Sequence, residues 1–161
     1  MIRNLMRGIL MGALIYIMAC AIATVRMAHA DPLAACEPYR ETVMDILEAE
    51  GVSRDFYYLM VAESRCRIGA VSPMGAQGFW QLMPSTARAY GCDDPHDLDC
   101  ATHAAARYLR HLMDDFNDFS HLIMAYCMGG HNLRRRGPTP EALALVRSVR
   151  RLMAMDGGGE K

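Results

Sequence analysis

Apolar positions along this chain recur mostly at intervals of three and four. Between Glu37 and Glu50 they set Val43, Ile46 and Leu47 on one stripe, and Gly51 supplies a stop, which predicts a first amphipathic helix. Ser53 is a good N-cap with Asp55 in the first turn, and it predicts a second helix reaching Glu63 or Ser64. Phe56, Leu59, Met60 and Glu63 recur on one face of that helix. Residues 65–78 hold three Gly and a Pro without any period, so they are expected to form an ordered loop. Short helices are expected at Phe79–Met83 and Ser85–Tyr90, then a longer one rich in Ala and Leu at Leu98–Phe116. A short apolar helix at Ser120–Met128 follows, and Thr139-Pro140-Glu141 opens a last one running to about Met155. No β pattern and no repeat is visible. The expectation is an all-α single domain of about six to seven helices over residues 37–155, with residues 156–161 as a flexible tail.

Residues 1–30 break from this pattern. Arg3 and Arg7 precede an uncharged apolar run of 17 residues from Ile9 to Val25, and Ala28-His29-Ala30 offers a small-x-small cleavage site. This reads as a signal peptide cleaved after Ala30, the alternative being an uncleaved membrane anchor. Leu33-Ala34-Ala35-Cys36 resembles a lipobox, but Arg26, His29, Asp31 and Pro32 separate it from the apolar run. Export to the periplasm is the expected localisation. Cleavage would remove three of the 17 basic residues and none of the 18 acidic ones, leaving a formal charge of −4. Such a balance argues against nucleic acid as the main partner, because phosphate binding needs a basic footprint. Arg134-Arg135-Arg136 reads as a solvated turn.

Candidate chemistry centres on one residue. From Ala62 to Gly91 the single acidic side chain is Glu63, placed where a helix runs into the Gly-, Ser- and Pro-rich loop. The negative end of a helix disfavours a further negative charge, and Phe79, Trp80 and Met83 folding over it would add desolvation in the same direction. Both effects raise a Glu pKa and suit a general acid. Capping, or pairing with Arg65 or Arg67, is the competing structural role.

"ES" at 63–64, "AVSPMGAQGFWQLMPSTA" at 70–87, "AARYLRHL" at 105–112 and "AYCMGG" at 125–130 resemble, in order and spacing, the SLT-type lytic transglycosylases of the lysozyme-like superfamily. The resemblance covers roughly Tyr39 to Leu133 and implies a lysozyme-like fold. It implies cleavage of the β-1,4 bond between N-acetylmuramic acid and N-acetylglucosamine in peptidoglycan, with a 1,6-anhydro product. It assigns catalysis to Glu63, the sugar cleft to Ser64 and Gln81, and a hydrogen bond orienting Glu63 to Tyr126; Met83 is a further candidate for substrate contact, open between that and the core. One carboxylate suffices if the sugar's own C6 hydroxyl is the nucleophile, whereas ordinary glycosidases need two. Read from the residues alone, Tyr126 could equally be a core phenol bonded to a backbone carbonyl. Trp80 stays open between core and sugar contact. The sequence departs from the family at Cys127, where Asn is usual, and at Cys66 and Arg67, where an aromatic residue and Asn are common.

Other readings remain. A lysozyme-type hydrolase would need a second carboxylate, for which Asp114, Asp115 and Asp118 are candidates. A non-catalytic peptidoglycan-binding module needs no catalytic group at all. Cys92, His96, Cys100 and His103 have spacings that could suit zinc, although an exported chain favours a disulfide. His111, His121 and His131 form no ligand spacing. No cofactor or metal is expected. The expected partner is the peptidoglycan glycan strand, met by a monomer, with sacculus turnover or a secretion or conjugation apparatus as the setting.

With Cys20 lost in the signal, five cysteines remain in an oxidising compartment. Cys36 and Cys66 each lie fifteen residues from Gly51, so an antiparallel hairpin brings them level and predicts a Cys36–Cys66 bridge. Cys92–Cys100 is the second expected bridge, across Asp93-Asp94-Pro95, and Cys127 is the expected free thiol.

Overall fold

The computed structural model describes residues 31–157. The expected signal peptide or anchor, and most of the expected tail, lie outside these residues. Among the described residues the fold is all-α. A short helix α1 (Pro32–Cys36) and a 3-10 turn (Glu37–Tyr39) lead into α2 (Arg40–Ala49). A second 3-10 turn (Arg54–Phe56) leads into α3 (Tyr57–Ser64), followed by α4 (Pro84–Ala89), α5 (Leu98–Met113), α6 (Phe119–Met128), α7 (Gly130–Arg136) and α8 (Pro140–Met155). Among the described residues no helix is long and apolar enough to cross a membrane.

Side-chain caps set several of these starts. Asp97 accepts from the backbone of Cys100, Asp118 from His121 and Thr139 from Ala142, each satisfying a donor that has no partner inside the helix. Ser53 does the same for Asp55, but the turn it opens is 3-10 before it becomes α-helical. The expected helix at Glu37–Glu50 is likewise split. Pro38 and the 3-10 turn occupy its first residues, and α1, which the sequence pattern did not suggest, precedes it.

Two helices are buried on all sides. In α3 Tyr57, Tyr58, Leu59, Met60, Val61 and Ser64 are all buried, and in α6 the run Leu122 to Tyr126 is. Burial around the whole circumference, rather than the single face expected for α3, marks a helix at the centre of a domain. Both pack on α8, while α2 packs on α5 and α5 on α6. The core therefore surrounds α3 and α6, and both run out of helix at the same edge of the molecule.

The segment between α3 and α4 departs most from expectation. Phe79–Met83 is not a helix. Isolated antiparallel bridges join Val71 to Gln77 and Gln77 to Leu82, the second through paired backbone bonds of 2.9 and 3.1 Å. The helix expected at Ser85–Tyr90 begins at Pro84, whose missing N–H costs nothing in the first turn. Phe79 and Trp80 are driven into the core, at 1% and 0% exposure. Trp80 donates its indole N–H to Thr102 Oγ1 at 2.9 Å, which ties this turn to α5. Gly78 is required here. Its φ is +73°, and a Cβ would stand 1.7 Å from the Pro95 carbonyl oxygen. Arg134, Arg135 and Arg136 are exposed, as expected, but they form the last turn of α7, where cations meet the negative end of the helix.

Two disulfides flank this segment. Cys36–Cys66 joins α1 to the residue two beyond α3, and Cys92–Cys100 closes the loop before α5, with Cα separations of 5.3 and 5.2 Å. Cys127 is a free thiol. Because Cys92 and Cys100 are bonded to each other, neither can act as a zinc thiolate. His96 Nδ1 lies 2.6 Å from the Ile68 carbonyl and His103 Nδ1 lies 2.8 Å from Glu50, so the two histidines serve separate packing contacts.

Candidate active site

Glu63 is the penultimate residue of α3. The helix closes there because Arg65 turns left-handed, at φ 52° and ψ 38°, and donates its N–H to the Val61 carbonyl at 2.9 Å. Cys66 follows at φ 56°. Positive φ costs a non-glycine residue about 1–3 kcal/mol, so a pair in succession needs outside support. It comes from the bridge to Cys36 and from Ser64, whose Oγ accepts the Cys66 N–H at 3.0 Å. Ser64 also donates to the Met60 carbonyl at 3.3 Å and is 1% exposed. Its expected place in the sugar cleft is therefore corrected: Ser64 faces inward and holds the helix end that carries Glu63.

A cleft of about 440 Å³ opens beside Glu63. One wall is the 65–83 segment, through Ser72, Met74, Gln81 and Met83, and the opposite wall is the end of α6 from Tyr126 to Gly129. Thr86 and Tyr108 contribute from α4 and α5. Gln81 is held in place from both ends. Its backbone has φ 48°, and its Nε2 donates to the carbonyls of Gly78 at 2.8 Å and Ala70 at 3.3 Å. The carboxamide oxygen has no partner among the described residues. Met83 lines the cleft and is 43% exposed.

Burial pushes the Glu63 carboxyl up to about 7. Neither Arg65 nor Arg67 pairs with it, and among the described residues no donor bonds to it, so nothing offsets the loss of water. The cause differs in part from the expected one. Of Phe79, Trp80 and Met83, only Met83 borders the cleft, while the two aromatics lie beneath in the core. The desolvating neighbours are the α6 end and Tyr108 instead. The C-terminal ends of both α3 and α6 meet this cleft, and their dipoles act in the same direction.

Tyr126 is 8% exposed and its hydroxyl donates to the Trp80 carbonyl at 2.9 Å. The hydrogen bond to Glu63 that the resemblance implied is therefore corrected in favour of the other reading of the residue, a buried phenol whose one proton goes to a backbone carbonyl. The two groups remain electrostatically coupled: burial first, then the negative field of Glu63, raises the Tyr126 hydroxyl well above its ordinary value. Cys127 also borders the cleft, its thiol raised by burial and then by the charges of Glu63 and Glu141.

Tyr108 was not singled out from the sequence. Its ring packs 5.4 Å from Tyr126 and 5.3 Å from Tyr90, forming an aromatic row that leads from the cleft along α5. The available signal was a polar-tipped aromatic inside an alanine-rich helix face. Ser72, Thr86 and Met128, like Tyr108, lie inside the blocks that carry the family resemblance, but none was picked out from its block.

None of the three candidate second carboxylates reaches the cleft. Asp115 pairs with Arg134 at 2.5 Å, Asp118 caps α6, and Asp114 borders a separate depression with Arg107, Arg110 and Glu50. Among the described residues lining the cleft, Glu63 is the one carboxyl. The arrangement can therefore donate and retrieve a proton, but it holds no second carboxylate to activate water. Comparison with known families gives a match to the model described as "Transglycosylase SLT domain" over residues 47–144. That span contains every cleft-lining residue.

Proposed function

The chain belongs to the transglycosylase SLT domain family of the lysozyme-like superfamily, and on that premise we propose that it is an exported lytic transglycosylase. It cleaves the β-1,4 bond between N-acetylmuramic acid and N-acetylglucosamine and leaves a 1,6-anhydro end. The observation that carries this reading is the lone, partnerless carboxyl of Glu63, pushed up to about 7 in a cleft with no second acid among its described lining residues. Protonated Glu63 delivers its proton to the glycosidic oxygen as the bond from muramyl C1 to that oxygen breaks. The C6 hydroxyl oxygen of the same sugar then bonds to C1, and its proton passes to the Glu63 carboxylate. The acid is regenerated and no water is consumed. Tyr126 is a positioning residue. Its proton is committed to the Trp80 carbonyl, which fixes the ring beside the acid. Gln81 and Met83 contact the sugar.

Export is supported by the disulfides Cys36–Cys66 and Cys92–Cys100, which persist in oxidising compartments, and by the signal-like composition of residues 1–30. Digestion of purified peptidoglycan followed by mass spectrometry tests the reaction. The expected fragments carry 1,6-anhydro-muramyl ends and are lighter by one water than hydrolytic products. Reducing ends would move the chain to the hydrolases, and no release would make it a binding module.

A further inference from the structure

Six large hydrophobic side chains are exposed among the described residues, and four of them fall within one stretch: Ile68 at 60%, Val71 at 60%, Met74 at 83% and Met83 at 43%. Met74 and Met83 border the cleft, so this apolar surface continues the cleft outward as a lip. Clustered apolar exposure of this kind marks a contact surface. The lip is not a fold in waiting. Its tip is a tight turn closed by Gly75 N–H to the Ser72 carbonyl at 2.9 Å and Ser72 N–H to the Ala76 carbonyl at 2.8 Å, with Ser72 Oγ accepting from Ala76 at 3.0 Å.

Charge narrows what can sit there. From Ser64 to Gly91 there is no acidic residue, while Arg65, Arg67 and Arg88 are exposed and none forms an ion pair among the described residues. The mature chain as a whole is acidic, so this segment is a local exception. The N-acetylated sugars of a glycan strand offer hydrogen-bond acceptors but no counter-charge for the arginines, and Val71 and Met74 carry no polar group to meet their hydroxyls. The peptide stem carried by the muramyl lactyl group differs on both counts, since it bears alanine methyls and free carboxylates. It also leaves the strand at the sugar next to the bond that Glu63 addresses.

We infer that the lip formed by Val71 and Met74, with Arg65 and Arg67 at the base of the same loop, takes the peptide stem of the muramyl residue at the scissile bond. The inference rests on the peptidoglycan-cleaving reading of Glu63. Methionine suits the task because its unbranched thioether adapts to methyl groups of varied spacing.

The test measures kcat/KM for the full chain on two preparations of the same glycan strands, one bearing stems and one stripped of them by an amidase. The wild type is expected to favour the stem-bearing strands about tenfold, the equivalent of about 1.4 kcal/mol. In V71S/M74S the ratio is expected to fall towards one, and in R65S/R67S it is expected to fall part of the way. V71S/M74S changes exposed positions only, and a circular-dichroism melt confirms that the comparison is between folded proteins. Equal cleavage of both strands by the wild type, or a preference that survives V71S/M74S, overturns the inference while leaving the proposed activity intact, and assigns the lip to a protein partner. Failure of the wild type to cleave either strand removes the proposed activity and the inference with it.

Discussion

Glu50 and Glu63 stand thirteen residues apart, each at the C-terminal end of a helix, and they meet opposite fates. The dipole is unfavourable to a carboxylate in both places. Glu50, as the C-cap of α2, is met by His103 at 2.8 Å, Arg107 at 3.0 Å and Arg110 at 3.9 Å, all from α5. The hydrogen bond from His103, opposed by burial and joined by that from Arg107, holds its carboxyl below the usual range. Glu63 receives no cation and no donor, and burial alone moves it the other way, to about 7. One glutamate is a charged staple between two helices. The other is kept as a neutral acid beside a cleft. What separates them is the supply of partners, not the residue or its place in a helix.

The strongest way to break this contrast is to remove the titrating proton at Glu63. Glu63→Gln preserves the shape, and because general acid–base catalysis contributes about 10²–10⁴-fold, activity on peptidoglycan is expected to fall by at least that range. Muropeptide release by the purified variant measures it. A variant that cleaves normally removes Glu63 from the mechanism.

The same substitution is expected to stabilise the protein, but only at higher pH. The carboxyl is raised above its unfolded value, so the native state holds a proton that the unfolded chain releases as pH rises from about 4.5. Wild-type stability therefore declines between about 4.5 and 7 and levels off above. Glutamine has no such loss. At pH 8 Glu63→Gln is expected to be more stable by on the order of 2–3 kcal/mol, with the difference gone at pH 4, as read by denaturant titration.

Glu50→Gln is expected to do the reverse. It leaves activity unaltered, since Glu50 does not line the cleft, and it lowers stability by about 1 kcal/mol, a modest figure because the cations are partly solvated. Its carboxyl is lowered in the folded state, so that stabilising contribution is present above the unfolded pKa and is lost as pH falls through the folded one. Thermal melts at pH 7 and pH 3 check the sign.

How much of this was legible in the sequence depends on how local each signal is. Thr139 and Ser53 accept backbone bonds through their own side chains, so the starts they set could be read from the residues themselves. The all-α class followed from periodicity and held among the described residues. The 65–83 segment was misread at Phe79–Met83 because its two isolated bridges pair residues six and five apart, too few to write an alternating pattern. Ser64 was legible as a residue near the acid but not as to its partners, and Tyr126 was left open between the acid and a backbone carbonyl. Cys66 and Trp80 claim their bonds, and that choice is made by tertiary packing. The lack of a partner for Glu63 could not be read at all. Arg65 and Arg67 are neighbours in sequence, and only the left-handed turn at Arg65 and Cys66 carries the chain away from the carboxyl.

The central claim is that one glutamate of the pair stays protonated near neutrality while the other is ionised. A side-chain carboxyl carbon NMR titration of the full chain, with Glu50 and Glu63 assigned through their Gln variants, measures both at once. The account predicts Glu63 titrating at about 7 and Glu50 below its ordinary value. Glu63 titrating with the surface glutamates, at about 4.3, would contradict it.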